Sequence, residues 1–570
     1  MINFDIEKNE NIFISIEQKK YNYNEEAYLI TLKSNGNAPL NNIKLLHSIP
    51  CGEITSVWNC DNKSGSFRGF HYKCNLLSDE VNGFPVCMFL DSDENNRYTV
   101  VNSDALNPCW YSATIIEETA EIKFSIQLLH DIDIALFEYK TTIYINKEKK
   151  HFSELLQNTI HKYFEYKYYD LPPFANEPVY STWYSFHQEL NTVELLKQCI
   201  TAHELGCGTV IIDDGWQTEN NERGYAYCGD WKLCKSKISS MKKLADEIHK
   251  LNMKILVWFS VPFVGIHSKA FKKFKNMLLD YDGKRDYYTL DPRYFEVREY
   301  LTDLYANYLK EWNIDGFKLD FIDSFKITEH SEKNVNSLSI NKAIDLLLNE
   351  IFNKLKAINK DVLIEFRQSY IGPSVSRYAN MIRVCDCPMD TLFNKINTID
   401  LRMVCQNSAI HSDMLMWDYN SSVITAARQM AAVLFSVPQI SVKIDKLSPE
   451  HYKMLKFYLK FWTENKDALI NGTLRPYNAV HNYTMVKAFN NKRCVTVLYA
   501  EQIVVLDKDY KSQSVVNVTS KDEIVIVSDV DDICGTTYDC MGNATELIQI
   551  REGINILSVK QCGILVIELS

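Results

Sequence analysis

Ile314-Asp-Gly-Phe-Lys-Leu-Asp-Phe321 is a short apolar run that ends in a carboxylate. It follows directly on Phe295-Glu-Val-Arg-Glu-Tyr-Leu-Thr-Asp-Leu-Tyr-Ala-Asn-Tyr-Leu-Lys-Glu-Trp312, whose apolar residues recur at helical spacing. A helix feeding a buried strand is the repeating unit of a parallel α/β sheet. The same alternation extends in both directions. Candidate strands begin near Val179, Gly208, Lys254, Gly316, Val362, Met381, Asp413 and Gln439, with helices such as Met241-Lys-Lys-Leu-Ala-Asp-Glu-Ile-His-Lys-Leu-Asn252 between them. About eight strands over about 300 residues predict a closed (β/α)8 TIM-type barrel.

Outside this region the period changes from helical to two. Ala27-Tyr-Leu-Ile-Thr-Leu-Lys33 and Ala120-Glu-Ile-Lys-Phe-Ser-Ile-Gln127 alternate apolar with polar residues, and turn-rich stretches such as Ser34-Asn-Gly-Asn-Ala-Pro39 separate such runs. Period two between turns predicts antiparallel strands, here closed as an N-terminal β-sandwich over residues 1–170. Leu171-Pro-Pro-Phe-Ala-Asn-Glu-Pro178 marks the boundary. The barrel is expected over 171–476. Lys492-Arg-Cys-Val-Thr-Val-Leu-Tyr499 and Gly563-Ile-Leu-Val-Ile-Glu568 predict a small antiparallel C-terminal β-sandwich over 477–570. A chain of 570 residues exceeds one core, since single cores stop growing at roughly 250–300 residues.

The net charge of −11 argues against nucleic acid or an anionic membrane as partner. Met1-Ile-Asn-Phe-Asp-Ile-Glu-Lys8 lacks the basic and apolar regions of a secretory signal, so the expected location is cytoplasmic and the 16 cysteines are expected as thiols.

Catalytic groups of such barrels stand at the C-terminal ends of the strands, so the strand ends are the places to read chemistry. In the fourth strand Lys318 and Asp320 share a face, and an ammonium beside the carboxylate would keep it ionised, as a glycosyl nucleophile requires. A salt bridge inside the barrel is the structural alternative. The sixth strand, Asn380-Met-Ile-Arg-Val-Cys-Asp-Cys-Pro-Met-Asp390, ends in Asp386. Cys385, Cys387 and Pro388 suggest an apolar setting that raises its pKa and suits a general acid; a turn-capping Asp is the alternative. The second strand, Thr209-Val-Ile-Ile-Asp-Asp-Gly-Trp216, offers two carboxylates and an apolar wall, Trp216. Read blandly, Asp214 is a helix N-cap. Trp183 is a candidate sugar platform, Arg367 a hydroxyl donor, and Arg383, within the sixth strand, a further candidate substrate contact.

Val210-Ile-Ile-Asp-Asp-Gly-Trp216, Gly229-Asp-Trp231, Met253-Lys-Ile-Leu-Val-Trp-Phe259, Gly316-Phe-Lys-Leu-Asp320 and Arg383-Val-Cys-Asp386, in this order and spacing, resemble the α-galactosidase and α-N-acetylgalactosaminidase clan, in particular glycoside hydrolase family 36. The resemblance runs from about Pro178 to the C-terminus. It implies Asp320 as nucleophile, Asp386 as acid/base, Asp213 and Asp214 on the 4- and 6-hydroxyls of galactose, Lys318 as a sugar contact and Trp231 as an aromatic wall. It also implies flanking β-sandwiches, a carbohydrate substrate, and neither metal nor other cofactor. The implied reaction is a retaining release of terminal α-linked galactose. Many members carry Cys-x-Ser-Gly-Gly-x-Arg at the fifth strand, where this chain reads Glu365-Phe-Arg-Gln-Ser-Tyr-Ile-Gly372, which leaves the preference at the sugar 2-position open. The other readings are an α-N-acetylgalactosaminidase, a galactosyl transferase of the same clan, a Schiff-base lyase using Lys318, and a sugar-binding protein without catalysis. A homo-oligomer is compatible with all of them.

Overall fold

A computed structural model of the chain describes residues 4–8, 10–36, 38–60, 69, 73–167 and 169–568. The start of the N-terminal stretch read above, residues 1–3, lies outside them. The chain divides into two compact units, Met1–Pro172 with Gly215–Lys242 and Val257–Ile382, and Pro173–Asp214 with Lys243–Leu256 and Arg383–Ser570.

The N-terminal strands form two antiparallel sheets. Five strands pair in the order Asp5–Glu7, Ile43–Pro50, Glu121–Leu128, Cys109–Ile116, Lys73–Ser78, and six in the order Ile12–Lys20, Glu25–Ser34, Glu138–Asn146, Asn96–Asn102, Val86–Leu90, Ser56–Trp58. The alternation read from the sequence is the physical pattern: in Glu121–Leu128 every second side chain is buried. Ile122, Phe124 and Ile126 pack there with Leu45, Phe89 and Ile143 into one apolar core.

Eight strands form the closed barrel: β1 Val179–Ser181, β2 Thr209–Ile212, β3 Lys254–Ser260, β4 Gly316–Asp320, β5 Leu363–Arg367, β6 Met381–Arg383, β7 Ala409–Leu415 and β8 Val437–Ile440. Parallel pairing is explicit where β1 meets β2 (Val179 beside Thr209) and β8 (Val179 beside Gln439), and where β4 meets β5 (Gly316 beside Leu363). A Cβ on Gly316 would fall 1.9 Å from the carbonyl oxygen of Leu363, so the approach of these two strands requires glycine. Five of the longer helices start on side-chain caps: Asn191 before Thr192–Glu204, Ser339 before Ile340–Ile358, Asp390 before Thr391–Val404, Ser422 before Val423–Ala432, and Ser448 before Pro449–Asn471. Each cap oxygen accepts from a backbone N–H that the first helical turn leaves without a partner. After β3 the chain inserts a three-stranded sheet, Phe263–Gly265, Tyr287–Leu290 and Leu278–Asp282, before the helix Phe295–Trp312.

The C-terminal strands make a seven-stranded and a three-stranded sheet. Two expectations change here. The strand Thr473–Tyr477 straddles the boundary drawn at 476/477 and pairs with Met485–Phe489. The sheets are mixed, since Arg493–Leu498 runs parallel to Ser512–Asn517, and Ile503–Val505 parallel to Glu523–Ser528. Alternation reports a half-buried strand but not the direction of its neighbour.

β7 begins four residues before the predicted start at Asp413, because the polar run His411-Ser-Asp413 is buried inside the barrel. His411 Nε2 donates to the Ala175 carbonyl at 2.8 Å, and burial lowers its pKa to about 4. In the unfolded chain it titrates near 6.5. The unfolded chain therefore takes up a proton that the native one refuses. Stability is complete above pH ~6.5 and falls as pH drops toward about 4, by on the order of 3 kcal/mol. His411→Gln should flatten this part of the acid limb when thermal unfolding is followed from pH 7 to 4.5.

Candidate active site

In the first unit, Asp320 is the last residue of β4, and Phe321 turns the chain sharply with φ 64°. The carboxylate is held at both oxygens. Oδ1 accepts from Arg367 Nε at 2.6 Å and from the Phe321 N–H at 2.7 Å, and Oδ2 accepts from Trp258 Nε1 at 3.1 Å. Arg367, at the end of β5, also reaches Asp323 at 3.2 Å and the Gln368 carbonyl at 2.7 Å. Its guanidinium lies 5.3 Å from the ring centre of Phe321 and 5.5 Å from that of Tyr370. Arg367 was expected as a donor to sugar hydroxyls; its Nε instead fixes Asp320. The reason is register: β4 and β5 pair in parallel from Gly316 beside Leu363 to Lys318 beside Glu365, so both strands end at one level. Lys318 is buried, on the same strand two residues before Asp320. Arg367 is ion-paired with Asp320 at 2.6 Å.

Trp216 is a correction. It was read as a wall for the sugar, yet its ring is fully enclosed. Its Nε1 donates to the Trp258 carbonyl at 2.9 Å, and its ring stacks on Trp231 at 5.9 Å. Trp231 is almost as enclosed and meets Trp258 edge-on at 6.0 Å. The two rings are an under-layer that supports Trp258, the one that donates to Asp320. Trp258 lies inside an apolar run, Ile255 to Phe259, quoted above for its resemblance but without a role for this side chain.

In the second unit, Asp213 and Asp214 follow β2, both buried. The Asp213 N–H donates to Thr182 Oγ1 at 2.9 Å, Asp213 Oδ1 accepts from the Asp214 N–H at 2.9 Å, and Asp214 Oδ2 accepts from Gln188 Nε2 at 2.6 Å. Asp214 caps no helix; the next residues form a turn in which Gly215 has φ 112°, and the following helix begins at Met241. Trp183 opens the short helix after β1, partly exposed, edge-on to His187 at 5.3 Å.

Asp386 departs from its expected setting. β6 stops at Arg383, so Asp386 stands on the loop with its side chain 59% exposed, and its Oδ1 lies 2.9 Å from Arg383 Nη2. Cys387 is buried but Pro388 is exposed. The apolar enclosure read from these neighbours is absent, and a guanidinium is present instead. Arg383 itself, read as a substrate contact, is fully buried between carboxylates: its Nη1 donates to Asp413 Oδ1 at 2.6 Å. Asp413, which the sequence reading gave only as the start of a strand, also accepts at Oδ2 from the Tyr184 hydroxyl at 3.2 Å. A carboxylate two residues after a buried His, in an inward-facing run, was the available signal.

Among the described residues no three His, Cys, Asp or Glu side chains are grouped to hold a metal ion, no cysteines are joined as a disulfide, and no helix is long and apolar enough to cross a membrane.

The sequence model of the melibiase family matches residues 136–431, more than half of the chain. Among curated relatives, Alpha-galactosidase 2 of Pediococcus pentosaceus is 25% identical over 164 residues, 27% of this chain and 22% of that one. The bifunctional alpha-galactosidase/sucrose kinase AgaSK of Mediterraneibacter gnavus is 28% identical over 134 residues, 22% of this chain and 14% of that one. These matches thus span less than a quarter of the relatives' length. Among solved structures, the GH36 alpha-galactosidase AgaA of Geobacillus stearothermophilus superposes with a TM-score of 0.68 at 13% identity, over 98% of this chain and 81% of that one; one of its variants was solved with raffinose. The alpha-galactosidase TtGalA of Thermus thermophilus gives 0.52 at 15% identity, over 78% and 94%. By its sequence match over the barrel, this chain belongs to the melibiase family.

Proposed function

We propose that the chain is a retaining exo-acting α-galactosidase, releasing terminal α-linked galactose from oligosaccharides or glycoconjugates through Asp320 and Asp386. The observation that carries this reading is the anchored Asp320 carboxylate, held by Arg367 at 2.6 Å and Trp258 at 3.1 Å at the end of a barrel strand. A charged neighbour and fixed donors favour the ionised, oriented form that a nucleophile needs. In the first step Asp320 forms a bond to the anomeric carbon while Asp386 gives its proton to the departing oxygen. In the second, Asp386 takes a proton from water, the water oxygen bonds to the anomeric carbon, and the Asp320 ester breaks. Asp386 suits both steps because its exposed carboxyl exchanges protons with solvent. Asp213 and Asp214, buried and hydrogen-bonded, are assigned to the 4- and 6-hydroxyls of the sugar. Membership in the melibiase family and the raffinose complex of a relative support galactose as the sugar.

The test is a panel of aryl α-glycosides with the released anomer followed by NMR. The expected result is hydrolysis of the galactoside with α-galactose formed first. β-Galactose as first product overturns retention. Preference for the N-acetylgalactosaminide overturns the sugar assignment, and turnover of neither overturns the reading.

A further inference from the structure

The chemistry assigned to Asp386 leaves Asp413 without a task. This carboxylate on β7 is fully buried. Its Oδ1 accepts from Arg383 Nη1 at 2.6 Å, and its Oδ2 accepts from the Cys387 N–H at 2.7 Å and the Tyr184 hydroxyl at 3.2 Å. The other arm of the same guanidinium lies 2.9 Å from Asp386. One cation thus stands between a carboxylate that solvent cannot reach and one that it can. As a source of stability this is a poor investment, because an apolar pair of equal volume often does as well as a buried ion pair. An apolar pair would, however, leave Asp386 with no fixed charge beside it and its loop without the anchor at Cys387.

We propose that Asp413 is a positioning residue for Asp386: it holds Arg383 and the loop at Cys387 in place, and it offsets the guanidinium charge so that Asp386 keeps its capacity to carry a proton. The inference rests on the reading of Asp386 as acid/base. A bare guanidinium at this distance would favour ionised Asp386, and an ionised carboxylate cannot act as an acid. Asp413 supplies the cancelling charge. Its own carboxyl is pushed up, to about 6, first by burial; Arg383 pulls it down and Asp386 pushes it up again. The phenol and the thiol that face Asp413 add no positive charge at neutral pH. Burial and Asp413 push the Tyr184 phenol and the Cys387 thiol well up, so both stay protonated. Cys385 and Asp390 flank Cys387 on its loop, and His411, two residues before Asp413, is neutral above about pH 4.

The experiment is the pH profile of kcat/KM for an alkyl α-galactoside, whose leaving group needs a proton, beside that for a dinitrophenyl α-galactoside, whose leaving group does not. Asp413→Asn should move the basic limb of the alkyl profile about one pH unit lower. Arg383→Gln should move it higher, and the double variant, in which no unpaired charge is buried, should bring it back toward the wild-type position. The dinitrophenyl limb should stay in place throughout. Thermal unfolding reports which variants fold, and should Asp413→Asn fail, the double variant carries the test. An alkyl limb that stays put in the active single variants, that moves the same way in both, or that in the double variant remains where Arg383→Gln puts it, overturns this inference and leaves the proposed function standing. A wild-type chain inactive on every α-galactoside overturns both.

Discussion

Asp320→Asn should reduce kcat by roughly 10^4-fold or more while galactose still binds. An amide is too poor a nucleophile to form the glycosyl ester, and the uncharged group no longer stabilises positive charge at the anomeric carbon. The cost in stability can also be read from the geometry. Both oxygens of Asp320 face donors: Arg367 Nε and the Phe321 N–H at Oδ1, Trp258 Nε1 at Oδ2. An asparagine must turn its NH2 toward one set. The Trp258 side, with one contact at 3.1 Å, is the lesser conflict. One donor facing another costs about 1–3 kcal/mol, small beside the loss in rate. Single-turnover kinetics and calorimetry with galactose separate the two effects. Loss of binding together with turnover would make Asp320 a structural anchor and defeat its assignment as nucleophile.

Asp386→Ala should act differently on different substrates. With an alkyl α-galactoside the first step loses its proton donor, and kcat/KM should fall by roughly 10^2–10^4-fold. With dinitrophenyl α-galactoside the first step should proceed nearly as before, and the galactosyl-enzyme should accumulate because no base activates water. Azide, which needs no base, should then restore turnover and give α-galactosyl azide. The side chain of Asp386 is 59% exposed, and its truncation also removes the ion pair to Arg383, so thermal unfolding of the variant is followed alongside. Equal losses on both substrates would remove Asp386 from the acid/base role.

The strand starts at Lys254, Gly316 and Met381 were legible to the residue, because in each an apolar run begins abruptly after a helix or a polar turn. β7 was legible only in part: His411 and Asp413 look like surface residues in a sequence, and their burial depends on Ala175 and Arg383, far away in the chain. The same limit governs the site. That Asp320 and Asp386 carry the chemistry was suggested by local pattern and resemblance. That Arg367 is ion-paired with Asp320 was not, because a neighbour on the next strand of a barrel is fixed by strand register rather than by spacing. Arg367, ion-paired with Asp320 at 2.6 Å, lies 47 positions later in the chain. Trp216 shows the converse, a conspicuous aromatic at a strand end that serves as flooring under Trp258.

The missing side chain at Gly316 reaches further than its own turn of chain. Because a single carbon there would collide with the Leu363 carbonyl, β4 and β5 can lie side by side in one alignment and cannot be re-spaced by gradual enlargement at that point. A one-residue slip would exchange the faces of Lys318 and Asp320 with those of Phe317 and Leu319. A change of specificity on this scaffold is thereby left to the connecting segments, because the strand pairing fixes the four-residue distance from Gly316 to Asp320.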